Sequence, residues 1–175
     1  MPDSITEFSI NRDEFIWKKE RGLFFQNDAS AIVLWDLAIE ILLQTLDEHV
    51  DIEKSNTILK DFGFRMGALV SKYYSERMDL EDILIQFSDI YRNAGWGNVK
   101  ITKFSKEDRQ VIIELHNSWE HRVFKAINKN QECIIMPNYW TGFMSELMKE
   151  NLSYLITKKN QNGIDFSEIH LFVKE

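Results

Sequence analysis

Residues 114–124, with the sequence ELHNSWEHRVF, concentrate side chains that could perform chemistry. Glu114, His116, Glu120 and His121 are of the types that bind metal ions or transfer protons. The same residues also fit the end of a strand and the start of a helix around one buried tryptophan. Spacing decides between these readings, because ligands or acid–base groups must converge on one point.

The directions of these side chains argue against a metal site. On the strand, Glu114 and His116 point to the face opposite Ile113 and Leu115, because side chains alternate between the faces of a sheet. His121 falls in the first helical turn, and the sequence contains no His-Glu-x-x-His spacing. Glu114 and His116 are therefore expected to lie at a solvated surface or against a partner that faces the sheet.

Helix capping accounts for the remaining polar residues of the stretch. Asn117 is predicted to be the N-cap, with Glu120 three residues later. In this arrangement each side chain satisfies a backbone N–H that the first turn leaves free. Trp119 between them is predicted to be buried.

Other catalytic patterns are missing from the sequence. It lacks GxSxG, GxxxxGK[ST], GxGxxG and Cys-x-x-Cys. Cys133 begins the apolar run Cys-Ile-Ile-Met136, which indicates packing rather than a thiol nucleophile. Neighbouring carboxylates such as Glu81 and Asp82 diverge on a helix. We therefore predict that the chain is not an enzyme.

Composition limits the protein class. The 175 residues, of which 44% are hydrophobic and 13% aromatic, fit one domain spanning 1–175. A net charge of −7 argues against general binding to nucleic acid or to anionic membranes. The single cysteine fits a reducing compartment, and neither a signal peptide nor an apolar run of membrane-spanning length occurs. We expect a cytoplasmic protein.

Hydrophobic periodicity predicts the elements. After a variable lead over 1–21 come a short strand at 22–26 and two amphipathic helices. Ile32, Trp35, Ile39, Leu42 and Leu46 are predicted to form one face of the first helix, and Ile58, Phe62, Met66, Leu69 and Tyr73 one face of the second. Gly63 and Gly67 in the second helix indicate a close backbone approach, with a neighbouring helix as the simplest candidate.

Further along the chain, the spacing of apolar residues changes from that of helices to that of strands. A third helix over about 80–92 is followed by a hairpin over 99–116, helices over about 118–128 and 137–149, and a final hairpin around 160–163. The order helices, hairpin, helices, hairpin predicts an α+β domain. Its antiparallel sheet is built from the two hairpins and covered by helices.

Aromatic residues occur next to glycines more often than expected, as in Tyr139-Trp140-Thr141-Gly142-Phe143. In a sheet covered by helices, such residues form either a dense core or a concave apolar pocket. Periodicity alone leaves both alternatives open.

A set of short motifs resembles the 4-vinyl-reductase type domain. The motifs are, in order, Phe62-Gly-Phe-x-x-Gly67, Asn117-Ser-Trp-Glu120, Gly142-Phe143, and Tyr154 and Gly163 flanking the last hairpin. This family includes small hydrocarbon-binding proteins and the effector domains of XylR/DmpR-type regulators, and it is related to TRAPP vesicle-tethering subunits. The resemblance covers Gly22 to the C-terminus.

The resemblance implies an α+β fold that dimerises through helices and sheet edges and encloses an apolar ligand. Family members often carry a structural zinc. Here Pro137, Ile156, Lys159 and Ser167 stand at about the ligand positions, and they are not zinc ligands. We therefore expect no zinc and no other cofactor.

Together these observations predict a stand-alone, sensor-type domain that holds a small hydrophobic or aromatic molecule and acts through an unknown protein partner. The predicted pocket residues supply apolar surface and a few polar tips. They are Phe87, Tyr91, Trp96, Leu115, Trp119, Phe143 and Tyr154. The alternative is a non-enzymatic, dimeric assembly module that resembles TRAPP subunits and fills its interior with its own aromatic side chains.

Overall fold

The computed structural model describes residues 5–10, 13–75, 79–129, 131–161 and 163–174. The N-terminal part forms a four-stranded antiparallel sheet, sheet A, whose strands pair in chain order. They are β1 (Ile5–Ile10), β2 (Asp13–Lys18), β3 (Leu23–Gln26) and β4 (Ala29–Ala31), with one 3-10 turn at Lys19–Arg21. The sequence predicted only the strand at 22–26. The other strands were missed because they are short and charged residues interrupt their apolar alternation.

Sheet A is joined to the rest of the protein by a buried carboxylate. Asp13 is only 4% exposed. It accepts hydrogen bonds from the amide groups of Asn27, at 3.0 Å, and Asn93, at 2.8 Å. Two amide donors thus compensate the desolvation of the carboxylate. Asn93 ends a helix, so these bonds fix the sheet against the helical layer.

Five α-helices lie in the described part of the chain. They are α1 (Asp36–His49), α2 (Ile52–Ser75), α3 (Leu80–Asn93), α4 (Trp119–Ala126) and α5 (Ile135–Met148). All five were predicted, but α1 begins later than its pattern indicated. Ile32 and Trp35 precede it, and they are 81% and 77% exposed. Leu43, rather than Leu42, is the buried residue of α1.

Sheet B is the sheet that the sequence predicted. Its strands are β5 (Asn98–Ser105), β6 (Gln110–His116), β7 (Leu152–Gln161) and β8 (Ile164–Val173), in the order β5-β6-β8-β7. All neighbours are antiparallel, and each hairpin contributes two adjacent strands. The α+β class and the two-hairpin sheet are confirmed. That 1–175 forms one domain stays a prediction.

Helices α2 and α5 touch through their backbones. A methyl group at Gly67 would lie 1.9 Å from the carbonyl oxygen of Tyr139, and one at Gly142 would lie 2.0 Å from that of Phe64. Both distances are far below van der Waals contact. The close helix approach predicted from Gly63 and Gly67 is therefore confirmed.

Much of the apolar face predicted for α2 is exposed. The buried positions of the helix are Ser55, Leu59, Gly63, Gly67 and Ser71. Ile58, Phe62 and Leu69 of the predicted apolar face are 42%, 54% and 71% exposed. Small residues face inward because only they permit the backbone contact with α5. Ile58, Phe62 and Leu69 are left on the outside, whereas Leu59 is buried and Met66 packs against the core.

Candidate functional site

The stretch 114–124 divides between two elements, as predicted. Ile113 and Leu115 of β6 point into the core, at 0% and 3% exposure. Glu114 and His116 lie on the outer face, where their side chains are 2.9 Å apart. His121 is exposed in the first turn of α4. Among the described residues, no group of three or more His, Cys, Asp or Glu is placed to hold a metal ion.

The predicted capping arrangement was wrong by one residue. Ser118 is the N-cap of α4, and its hydroxyl accepts the backbone N–H of His121 at 3.2 Å. Asn117 is exposed and adopts a left-handed conformation with φ of 52°. It makes the turn that lets the strand end and the helix begin, a role that asparagine tolerates better than most residues.

Glu120 caps a different helix from the one predicted. Its side chain is fully buried, with one oxygen accepting the N–H groups of Ile134 and Ile135 at 2.6 and 2.7 Å. The other oxygen accepts the N–H of Met136 at 2.8 Å. These donors belong to the start of α5, where the first turn leaves N–H groups without helical partners. Glu120 therefore fixes the N-terminus of α5 against α4.

Burial governs the titration of this carboxyl group and of its neighbour Cys133. Desolvation raises the pKa of Glu120 from 4.5 to about 7, although the three N–H donors oppose the rise. Desolvation, helped by the charge of Glu120, raises the pKa of Cys133 to about 12. The thiol is therefore protonated at neutral pH and is a poor nucleophile.

Six of the seven predicted pocket residues lie in or against one hydrophobic cluster. Tyr91, Leu115 and Phe143 are buried in it, and Trp96, Trp119 and Tyr154 pack against it half-buried. The side chain of Phe87 lies outside the described residues. The six residues chosen from the sequence thus lie together in the structure. That they bind a ligand stays a prediction.

Two aromatic residues that the predicted set omitted occupy the middle of this cluster. Tyr139 and Trp140 of α5 are 1% and 0% exposed. The ring of Tyr91 contacts both, with centroids 5.4 and 5.2 Å away. Trp96 lies 5.7 Å from Tyr139. The run of aromatic residues before Gly142 was the available signal, and their own rings fill this part of the interior.

Unpaired polar atoms remain inside the cluster. The hydroxyl of Tyr139 and the indole N–H of Trp119 are buried without a hydrogen-bond partner in the described structure. An unpaired buried donor costs on the order of 1–3 kcal/mol. These atoms are the polar groups that a small bound molecule could satisfy.

The surface carries long apolar stripes. The segment before α1 and the outer faces of α1 and α2 expose large hydrophobic side chains to between 42% and 81%. These residues are Ile32, Val33, Leu34, Trp35, Leu37, Ile41, Leu42, Ile52, Ile58, Phe62 and Leu69. We call them the α1–α2 stripes. Such extensive exposure of large apolar side chains is unusual for a monomer.

A shallow groove of about 460 Å³ runs beside β7. Cys133, Ile134, Tyr154 and Ile156 line it, and Lys60 of α2 stands at its rim. Tyr154 is held there by a hydrogen bond that the Asn138 amide donates to its hydroxyl at 3.1 Å. Of the predicted pocket residues, only Tyr154 lines this groove.

The sequence model of a known family, the D subunit of cellulose synthase, matches residues 23–120 of the chain. This chain belongs to the cellulose synthase D-subunit family. The match covers β3 to the start of α4, which includes the α1–α2 stripes. No curated protein matches this member of the D-subunit family by sequence.

Solved structures share its fold at low sequence identity. The phenol-responsive sensory domain of the transcription activator PoxR, bound to phenol, is 16% identical with a TM-score of 0.70. That match covers 90% of this chain and 84% of the sensory domain. An H-NOX protein is 12% identical with a TM-score of 0.51, and the match covers 84% of this chain and 76% of that protein.

A trafficking protein particle complex subunit 3 from Naegleria fowleri, covalently bound to palmitic acid, is 17% identical. The match covers 81% of this chain and 98% of the Naegleria protein, but its TM-score of 0.43 is too low to carry an argument. The predicted likeness to XylR/DmpR-type sensory domains is thus confirmed at the level of the fold. The family that matches is the D subunit of cellulose synthase, not one named for 4-vinyl reductase.

Proposed function

We propose that this protein is a non-catalytic assembly subunit of a cellulose-synthesising complex and that it self-associates through the α1–α2 stripes. The outward orientation of α2 carries the proposal. A 24-residue helix that exposes Phe62 and Leu69 while burying Gly63 and Gly67 is suited to contact another polypeptide. The membership of the chain in a family of cellulose synthase subunits supports the same function.

The size of the stripes fits an interface between two copies. A large apolar side chain presents roughly 150–200 Å², so eleven that are about half exposed offer roughly 800–1,100 Å². One partner contributes about 800 Å² to a stable protein interface. Interfaces between identical subunits are also the more apolar ones. We therefore expect a homodimer or a larger homo-oligomer.

The chemistry of the reactive residues supports a non-catalytic role. The carboxylate of Glu120 is occupied by three backbone donors, and the thiol of Cys133 is protonated. No helix within the described ranges is long and apolar enough to cross a membrane. We expect the protein in the cytoplasm, where it would meet the synthase at its inner side.

Analytical ultracentrifugation of the purified chain tests the proposal. The wild type should sediment as a dimer or a larger species, and Phe62→Glu combined with Leu69→Glu should sediment as a monomer with an unchanged circular dichroism spectrum. Thr57→Glu places one glutamate at an exposed position of α2 outside the stripe, so it should leave the assembly intact. A monomeric wild type at about 100 µM would refute the proposal.

A second function, the binding of a small hydrophobic or aromatic molecule, is favoured by the unpaired hydroxyl of Tyr139. The six clustered residues predicted from sequence would supply the apolar wall, and the hydroxyl would bind a polar atom of the ligand. A ligand specific for the folded state raises the melting temperature by mass action. In a panel of aromatic, fatty and tetrapyrrole compounds, at least one compound should raise the melting temperature of the protein.

A flat thermal response across that panel, in protein shown by native mass spectrometry to carry no ligand, would exclude this second function. The same preparation tests the expected lack of zinc. Elemental analysis should find no stoichiometric metal. Zinc that resists mild chelation, with unfolding after strong chelation, would contradict that expectation.

A further inference from the structure

The two free edges of sheet B differ in how they are protected. Edge strands expose backbone N–H and C=O groups, and proteins often block them with bulges and lysines. The β5 edge has both devices, since its register shifts between Ile101 and Lys103, and Lys100 and Lys103 are exposed. Strand β5 therefore resists pairing with another chain.

The first half of β7 lacks such protection. No described strand pairs with its outer edge. Residues 152–156, with the sequence LSYLI, carry no charge, and Leu155 is 63% exposed. The lysines of β7 come only later, at Lys158 and Lys159. The apolar half of this edge is therefore open to an additional strand.

The groove described above lies beside this open half. Ile134, Tyr154 and Ile156 supply the apolar part of its lining, and its volume of about 460 Å³ can take side chains of an added strand. An added strand would place alternate side chains into the groove and the others into solvent. The backbone edge would supply affinity and the groove would supply selectivity.

One lysine and one glutamate line the groove, and a second lysine lies nearby. Lys60 stands at its rim, and Lys158 is close enough to Cys133 to oppose the rise in the pKa of that thiol. Glu132 is the acidic residue of the groove. Lys159 is neutralised by Glu168 at 3.4 Å. A second copy of β7 would bring two more lysines to this surface, so an acidic strand from a different polypeptide is favoured.

We propose that the open edge of β7 and its groove bind an extended segment of a partner polypeptide in which apolar and acidic residues alternate, adding a fifth strand to sheet B. The proposal rests on the assembly function above and names the kind of partner that such a protein would recruit. It uses β7 and Lys60 of α2 rather than the residues of the α1–α2 stripes.

Fluorescence polarisation with a labelled peptide Ac-EVEVEVE-amide tests this inference on the full chain. The peptide should bind with a micromolar Kd, and hydrogen exchange of the β7 amides should slow on binding. The same peptide with proline at its central valine should bind at least about ten-fold more weakly, because proline removes a ladder hydrogen bond. The peptide Ac-KVKVKVK-amide should not bind measurably.

Charge variants locate the site. Lys60→Glu combined with Lys158→Glu should weaken binding of the acidic peptide by about ten-fold or more and strengthen binding of the basic peptide. Lys100→Glu combined with Lys103→Glu, on the protected β5 edge, is the matched control and should change the affinity for neither peptide. Equal binding of both peptides to the wild type, or binding of neither, would overturn the proposal.

Leu155→Glu separates the remaining outcomes, because it places a like charge against the acidic peptide at the groove. It should abolish peptide binding and leave the sedimenting mass of the protein unchanged. A loss of mass in this variant would overturn the proposal by showing that a second copy occupies the edge. A wild type that is monomeric yet binds the acidic peptide would refute self-association through the α1–α2 stripes and leave the strand-binding edge standing.

Discussion

The two faces of α2 contrast in chemistry and in environment. The inner face presents Ser55, Gly63 and Gly67 to α5, whereas the outer face presents Ile58 and Phe62 to solvent. In a helix that only covers a core, the larger apolar residues face inward. Here close backbone packing replaces large side chains on the inner face, and the apolar residues of the outer face are available for a partner.

Helix α5 explains how small residues suffice on the inner face of α2. Nine of its residues are buried, including Tyr139, Trp140 and Phe143, so α5 itself supplies the bulk of the core. Dispersion contacts grow with the number of close atom pairs, whichever helix provides the atoms. The contrast between the faces can be tested by changing one face at a time.

The largest effect is expected on the inner face. Gly67→Ala would place a methyl group 1.9 Å from a backbone oxygen that cannot rotate away. The helix-propensity gain of about 1 kcal/mol from alanine is smaller than the cost of separating the helices, which we expect to reach at least about 3 kcal/mol. Urea denaturation should show this loss. If the Gly67→Ala protein had wild-type stability, small residues on the inner face of α2 would not be required for its packing against α5.

Removing the anchor of α5 should cost nearly as much. Glu120→Ala leaves three buried N–H groups without an acceptor, and each unsatisfied group costs about 1–3 kcal/mol. We expect a loss of about 3–5 kcal/mol in the free energy of unfolding. Glu120→Gln retains one acceptor oxygen and should lose less. Equal stability of the two variants would show that the backbone contacts, not the side chain, hold α5 in place.

The same carboxyl group should make stability depend on pH. Burial raises the pKa of Glu120 from 4.5 to about 7 in the folded state. Between these values the folded protein holds a proton that the unfolded chain releases, so the stabilisation is complete below pH 4.5 and is lost as pH rises to about 7. The loss is on the order of 3 kcal/mol. The difference in unfolding free energy between wild type and Glu120→Gln, measured from about pH 4.5 to 8, should show this slope, and a flat difference would contradict it.

Local pattern predicted much of the fold because the hairpins and helices are specified by neighbouring residues. Ile113 and Leu115 alternate with polar residues, and Gly63 and Gly67 indicated the helix contact correctly. The role of Glu120 could not be predicted, since its donors come from residues 134–136 on another helix. The outward face of α2 could not be predicted either, because amphipathicity does not distinguish a core from a partner.

A smaller effect is expected where the strand β6 passes into α4. Ser118→Ala removes the hydroxyl that caps α4 and should cost about 1 kcal/mol. Asn117→Gly should be neutral or slightly stabilising, because glycine adopts a φ of 52° more readily than asparagine. Thermal unfolding of the two variants measures both effects. If Asn117→Gly were less stable than Ser118→Ala, Asn117 rather than Ser118 would be the cap of α4.

The smallest effect on the isolated chain is expected on the outer face. Leu69→Ala removes a side chain that is 71% exposed, so the unfolding free energy of dissociated protein should change by less than about 0.5 kcal/mol. At concentrations where the protein is assembled, the same substitution should lower the melting temperature, because assembly adds stability by mass action. A large loss in dilute, dissociated protein would mean that this face also supports the monomer fold.

The pairing of α2 with α5 has a consequence for synthesis on the ribosome. Helix α2 emerges well before its partner, since α3, the first hairpin and α4 must all be translated in between. For several seconds the nascent helix therefore has neither its backbone partner on one side nor the proposed assembly partner on the other. Both faces of one helix are then unburied at once, which makes the nascent chain a strong candidate for chaperone binding during translation.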